Sequence, residues 1–170
     1  MHLKSLHPSG LGSRLAHTFT SAPLCDMSPP ERPTSFPPRV LLVMPEQWPR
    51  ALLRAALREV GYDALGAPGL TGALRYRPQA PDRGAVRLVL LDQLVLVDEE
   101  AVTLLGALLR RHAAPAPVLV ARAMPAQSLP AAAVTIPWRR VIRRPANVAD
   151  LVAAVQALLP LPPDLARPID

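Results

Sequence analysis

The sequence contains one cysteine, one lysine and few aromatic residues. Because Cys25 is the only cysteine, these 170 residues cannot form an internal disulfide, and we expect a reducing compartment, the cytoplasm. Aromatic residues make up 4% of the chain whereas hydrophobic residues make up 50%. A core of this composition must consist of Leu, Val and Ala packed in layers, which is typical of helices on a parallel sheet.

Several signatures of membrane proteins and enzymes are missing as well. No apolar run reaches the roughly 20 residues that a membrane-spanning helix needs, so we expect no membrane insertion. Neither GxGxxG after the first predicted strand nor GxxxxGK[ST] occurs. His2, His7 and His17 precede the predicted domain, and His112 is expected to be a helix-end or surface residue. Without a metal cluster or a nucleophile-histidine pair, we expect no enzyme.

The charge of the chain is strongly basic. The formal net charge is +6, and every basic residue except Lys4 is an arginine. An arginine excess fits phosphate recognition, because guanidinium groups bind oxyanions in a bidentate manner. A coding bias of the genome explains the same excess equally well.

Composition divides the chain into three segments. Residues 1–38 are rich in Ser, Pro and His and lack periodicity, which predicts a disordered leader. Residues 39–159 alternate short apolar runs with amphipathic stretches and form the one predicted domain. Residues 160–170 contain several prolines and are predicted to be a loose tail.

The domain is predicted to have five strands alternating with five helices. The predicted strands are Val40–Val43, Tyr62–Leu65, Leu88–Leu91, Val118–Val120 and Val141–Ile142. The predicted apolar face of the first helix consists of Leu52, Leu53, Ala56, Leu57 and Val60, and the second helix covers Leu70–Tyr76. This alternation favours a three-layer α/β fold with a parallel sheet of flavodoxin-like order 2-1-3-4-5.

Caps and prolines set the predicted ends of the helices. Gly61 should end the first helix, Asp98 should begin the third, and Asn147 should begin the fifth. The fourth helix should be irregular or shortened, because Pro125, Pro130 and Pro137 interrupt it. The loop Pro78 to Gly84 is predicted to have no regular structure.

Four segments together resemble the receiver domains of response regulators. They are Val40 to Gly61 (VLLVMPEQWPRALLRAALREVG), Arg87 to Asp92 (RLVLLD), Pro117 to Ala123, and Arg144-Pro145. The resemblance covers about 120 residues, in matching order and spacing. It implies that Asp92 occupies the position of the phospho-acceptor aspartate.

The predicted phospho-acceptor pocket around Asp92 departs from the receiver pattern at the residues that hold the metal in receivers. Met44 and Pro45 stand where receivers have an acidic pair, and Glu46 reaches the site only if the register shifts by one residue. Arg122 replaces a Ser or Thr, and Arg144 replaces a Lys. A thioether and a proline cannot bind Mg²⁺, so we expect neither Mg²⁺ nor another cofactor, and no metal-dependent phosphotransfer.

A different role for Asp92 follows from these replacements. Arg122 and Arg144 could both contact Asp92 and occupy the space of a metal ion and a phosphoryl group. Alternatively, Asp92 ends a strand and accepts hydrogen bonds from nearby backbone amides.

The segment before the last helix is the candidate docking surface. By resemblance, Trp138 and Arg139 or Arg140 lie on the usual docking face of receivers. Arginines beside an aromatic ring could instead bind single-stranded nucleic acid, although strand alternation divides the cluster between two faces.

The sequence therefore predicts a receiver-like regulatory module that is not phosphorylated. It should act in signal transduction by binding a partner protein or by self-association, including as a homodimer. Two alternatives remain: a basic nucleic-acid-binding module, and an atypical phosphoreceiver that uses Asp92 with Glu46.

Overall fold

A computed structural model describes residues 36–121, 129–163 and 165 of the chain. Its strands are β1 Arg39–Val43, β2 Asp63–Ala67, β3 Gln79–Ala80, β4 Gly84–Asp92, β5 Ala116–Ala121 and β6 Arg140–Arg143. Its α-helices are α1 Gln47–Val60, α2 Leu70–Ala73, α3 Glu99–Arg111, α4 Ala131–Val134 and α5 Val148–Leu158, and a short 3₁₀ turn, Gln93–Val95, follows β4.

The sheet has the predicted topology. Its strand order is β2-β1-β4-β5-β6, and each neighbouring pair is parallel. If the short β3 is left out of the count, this is the flavodoxin-like order 2-1-3-4-5, which confirms the predicted fold class. The prediction of an irregular loop at residues 78–84 is wrong, because Gln79 and Ala80 pair antiparallel with Ala85 and Gly84 at the start of β4.

Helices cover both faces of the sheet and enclose two apolar clusters. Val40, Leu42, Leu88 and Leu90 pack against α1 and α5 on one face. Alternate residues of the same strands pack against α2, α3 and α4 on the other face. The continuous apolar runs of β1 and β4 are therefore explained, because both strands are buried on both faces.

Helix α1 ends as predicted but has a narrower buried face. Gly61 adopts φ +117°, and its N–H donates to the carbonyl oxygens of Leu57 and Arg58. Leu53 and Leu57 are fully buried, whereas Leu52 is 57% exposed. Assigning Leu52 to the buried face was wrong, because consecutive residues of a helix point about 100° apart and the sheet contacts only the side of Leu53.

The predicted caps of α3 and α5 are present. Asp98 accepts a hydrogen bond from the N–H of Ala101 at 2.7 Å. Asn147 and Asp150 form a reciprocal capping box at the start of α5. His112, at the end of α3, was expected to be a helix-end cation or a surface residue, yet it is only 2% exposed. His112 does end the helix, but the surface alternative is wrong, because its side chain is buried inside the domain, where burial also disfavours the cationic form and lowers its pKa.

The connection before β6 is short and irregular in its described part. Helix α4 has only four residues, and residues 122–128, which include Pro125, lie outside the described part of the chain. Helix α2 also stops earlier than predicted, at Ala73 instead of Tyr76.

The two ends of the domain are described only in part. Most of the predicted leader, residues 1–35, lies outside the described residues. In the predicted tail, Leu161 packs against the cluster between the sheet and α1 and α5. None of the described helices is long and apolar enough to cross a membrane.

Candidate functional site

Asp92 lies at the edge of the sheet where ligands of parallel α/β proteins bind. It is the last residue of β4, the strand between β1 and β5, and pairs in register with Val120 of β5. This edge is formed by the carboxyl ends of the strands, at the point where the strand order reverses. Asp92 is 1% exposed. A carboxylate this deeply buried needs partners that compensate for its lost hydration.

The carboxylate of Asp92 accepts hydrogen bonds from a backbone N–H and from an arginine side chain among the described residues. Its Oδ1 accepts a hydrogen bond from the N–H of Leu94 at 3.0 Å, and its Oδ2 accepts one from Nη2 of Arg144 at 2.5 Å. The structure thus contains both the backbone contact and an arginine contact that the sequence suggested. Because the Arg144 side chain is 29% exposed, the ion pair lies at the boundary between the interior and solvent.

The backbone fixes Arg144 next to Asp92. The N–H of Arg144 donates to the carbonyl oxygen of Ala121 at 2.8 Å, directly after β6. The carboxyl end of β6 therefore stays beside that of β5, and the side chain reaches across β5 to Asp92. Arg122, the second predicted partner, lies outside the described residues.

The loop after β1 presents no pair of carboxylates. Met44 is 1% exposed and belongs to the cluster between the sheet and α1 and α5. Pro45 is exposed, and Glu46 lies at the N-cap position of α1 with an exposed side chain. The three residues thus do different things: Met44 fills the core, Pro45 forms the loop, and Glu46 begins the helix.

Arg50 is a component of this edge that sequence reasoning missed. Its Nη1 donates to the carbonyl oxygens of Met44 at 2.5 Å and Pro45 at 3.2 Å. The side chain thereby holds the loop after β1 against the first turns of α1. Every residue has a backbone carbonyl oxygen, so the sequence contains no pattern that predicts this contact.

The described residues at the carboxyl ends of the strands do not supply the oxygen donors that Mg²⁺ requires. Mg²⁺ needs near-octahedral coordination by oxygen and is usually held by carboxylates together with water. Asp92 is the one fully buried carboxylate among the described residues, and a guanidinium group already contacts it. The Met44 side chain is apolar and points into the core, so this donor set does not fit the ion.

A shallow cleft of about 320 Å³ opens at the same edge, and Asp92 is not among its lining residues. Its walls come from the loops after β1, β2 and β4 and from the first turns of α2 and α3. Asp98 is among the lining residues, but its carboxylate caps α3.

The candidate docking residues lie on and before β6. Trp138 is partly buried against the cluster beneath α2, α3 and α4, and its indole N–H donates to the carbonyl oxygen of Ala133 at 3.0 Å. Arg139 and Arg140 are exposed, as is Arg143. Because the Arg144 side chain turns toward Asp92, it is separate from the exposed Arg139, Arg140 and Arg143.

A second polar cluster lies at the opposite, amino-terminal ends of the strands, where β1 and β2 begin. Nε of Arg39 donates to Asp63 at 2.9 Å, and both side chains are largely buried. Neither ring nitrogen of His112 has a hydrogen-bond partner among the described residues. Burial, followed by repulsion from Arg111 and Arg39, lowers the pKa of His112. The sequence did not predict this cluster, because Arg39, Asp63 and His112 are far apart along the chain and form no motif.

Comparison with known proteins identifies the fold. No protein-family model matches the chain, and no curated protein sequence matches it. A CheY-like receiver domain from Methanospirillum hungatei JF-1 superimposes with a TM-score of 0.57 at 19% identity, covering 72% of this chain and 94% of that one.

Two further solved structures are similar to the same extent. The signal receiver domain of an HD domain-containing protein from Pseudomonas fluorescens Pf-5 gives a TM-score of 0.57 at 22% identity, over 72% of this chain and 94% of that one. HP1043, an orphan response regulator of H. pylori, gives 0.54 at 18% identity, over 72% and 96%. The described domain has the receiver fold, and the resemblance seen in the sequence is confirmed at the level of structure.

Proposed function

We propose that the chain is a receiver-like regulatory module that works without phosphorylation and acts by binding another protein in the cytoplasm. The ion pair between Asp92 and Arg144 carries this proposal. It places the positively charged guanidinium group of Arg144 against the carboxylate that would otherwise accept a phosphoryl group. We propose a binding role and no catalytic one.

Two features of the Asp92 edge support a loss of phosphotransfer. The transfer of a phosphoryl group relies on a metal ion and a cation that neutralise developing charge. Here the residues after β1 offer a buried thioether and a proline ring in place of carboxylates. In addition, Arg144 engages Oδ2 of Asp92, one of the two oxygens that could attack phosphorus.

The test is intact-mass analysis after incubation with Mg²⁺ and acetyl phosphate. The 170-residue chain and its Asp92→Asn variant are treated side by side, with an active receiver domain as a positive control. We expect neither chain to gain mass while the control is labelled. A gain of one phosphoryl group in the natural chain but not in Asp92→Asn would favour the atypical phosphoreceiver that uses Asp92 and Glu46.

Nucleic-acid binding is a second candidate because Arg139, Arg140 and Arg143 are exposed together. Contacts of arginines with phosphates release counterions, so the affinity would fall steeply as salt increases. Titration of a labelled single-stranded oligonucleotide at several salt concentrations decides the question. Binding that is weak and independent of salt would dismiss this candidate.

A further inference from the structure

Within the described part of the chain, strand β6 ends the sheet and one of its backbone edges is unpaired. Among the described residues it pairs with β5 alone. Alternate N–H and C=O groups of such an edge strand point away from the sheet and can pair with another extended chain. Arg140, Val141 and Arg143 of this strand are exposed, whereas Ile142 contributes to the core.

The side chains along this edge carry positive charge. Arg139, Arg140 and Arg143 are exposed within a stretch of five residues, and β6 itself contains no acidic residue. Guanidinium groups at this spacing can form bidentate hydrogen bonds with carboxylates of a neighbouring strand. The edge therefore complements an acidic segment in charge.

The short helix α4 leaves an apolar surface beside the same strand. Val141 pairs in register with Leu119, which lies in the cluster covered by α2, α3 and α4, so strand alternation directs Val141 to that face. Yet Val141 is 48% exposed, and Val134 of α4 is 73% exposed. Among the described residues, this four-residue helix leaves Val141 partly uncovered, so an apolar side chain of a partner could pack on it.

We propose that the open edge of β6 binds an acidic, extended segment of another protein by strand addition. The open backbone provides the hydrogen bonds, the arginines select acidic residues, and Val141 receives an apolar one. The inference rests on the proposed function and names the class of its partner.

A second copy of this chain is a poorer occupant of the edge. If two β6 strands paired antiparallel about Val141, Arg139 of each copy would face Arg143 of the other. Like charges directly opposite each other destabilise a strand pair. The charges thus select a partner other than the chain itself.

The experiment uses the 170-residue chain and a defined probe. The probe is the peptide acetyl-Glu-Glu-Val-Glu-Glu-Val-Glu-amide with a fluorescent label. It carries carboxylates on both faces of a strand, because Arg140 and Arg143 lie on opposite faces of β6. Its Kd is measured by anisotropy, next to a peptide with Lys in place of Glu and one with alternate backbone nitrogens methylated. Hydrogen exchange of the β6 amides, followed by NMR, reports whether the probe adds as a strand.

Matched variants separate the edge from overall charge. We expect the triple variant Arg139→Gln, Arg140→Gln, Arg143→Gln to weaken binding about tenfold or more, since each exposed ion pair contributes modestly. The control changes three exposed arginines elsewhere, Arg54, Arg75 and Arg77, to Gln and therefore has the same net charge. It should bind the acidic probe as the natural chain does.

Four outcomes would overturn the inference: no binding of the acidic probe, equal weakening in both triple variants, undiminished binding of the methylated peptide, or unchanged exchange of the β6 amides. Tighter binding of a seven-nucleotide oligothymidine would replace the acidic segment by single-stranded nucleic acid. The phosphorylation test is independent of this one. If the chain gains no phosphoryl group in that test and does not bind the probe, the strand-addition inference is contradicted while the proposed function still holds.

Discussion

Removing Arg144 should destabilise the domain far more than removing an exposed arginine. In Arg144→Gln, the carboxylate of Asp92 keeps its bond to the N–H of Leu94 but loses its cationic partner while only 1% exposed. Breaking a buried pair costs about 3–5 kcal/mol when one charge is left uncompensated. Because Arg144 is 29% exposed, water can replace part of the guanidinium, so we expect a loss of about 2–3 kcal/mol.

Urea denaturation of single and double variants measures this contribution. For a domain of this size, the expected loss corresponds to a decrease in Tm of about 8–12 °C. Asp92→Asn should cost less, about 1–2 kcal/mol, because Arg144 can turn to solvent. The double variant should show a coupling energy of about 1.5–3 kcal/mol between the two side chains.

An exposed ion pair provides the matched control. Asp82 and Arg83 lie 3.6 Å apart, and their side chains are 74% and 57% exposed. Asp82→Asn should therefore change the free energy of unfolding by less than about 0.5 kcal/mol. The reasoning is refuted if Arg144→Gln is equally mild, or if the double-mutant cycle gives no coupling. Asp92 would then be held by the backbone amide of Leu94 alone.

Three further predictions concern stability. The lowered pKa of His112 means that the unfolded chain binds a proton at higher pH than the folded domain, so the free energy of unfolding should fall as the pH drops below roughly 6.5. Urea titrations between about pH 5 and 7.5 should show this slope, and His112→Leu should flatten it; an equal slope in the variant would be contrary to the prediction. Gly61→Ala should cost about 1–2 kcal/mol, because φ is +117° and the added Cβ would lie 3.3 Å from the carbonyl oxygen of Leu165. Gly69→Ala, with nothing within 4 Å, should change stability by less than about 0.5 kcal/mol, and similar Tm values for the two variants would refute the reasoning. Asp98→Ala should cost about 1 kcal/mol through loss of the cap on α3, and an unchanged Tm would show that the cap adds nothing.

Local signals in the sequence determine much of the fold. Continuous apolar runs placed β1 and β4 in the centre of the sheet, and Gly61, Asp98 and Asn147 marked helix ends that the structure contains. These features depend on nearby residues, so a single sequence reveals them. The proximity of Arg144 to Asp92 could be anticipated too, because parallel strands bring their carboxyl ends to one edge.

Features that depend on distant residues could not be predicted. Strand β3 has two residues of weak strand preference and forms because β4 begins four residues before its apolar run, at Gly84. The burial of His112 depends on how the chain turns after α3, next to the start of β1. Arg50 binds carbonyl oxygens, which every residue possesses.

The most direct test of the central claim is an NMR titration of the chain with Mg²⁺, from zero into the millimolar range. The amides of Met44, Gln93 and Leu94 report on the Asp92 edge, and Asp92→Asn is titrated in parallel. We predict no saturable shift of these amides, because Arg144 engages the carboxylate and the loop after β1 lacks an acidic pair. Saturable shifts in the natural chain that disappear in Asp92→Asn would contradict the account and restore a metal-binding receiver site.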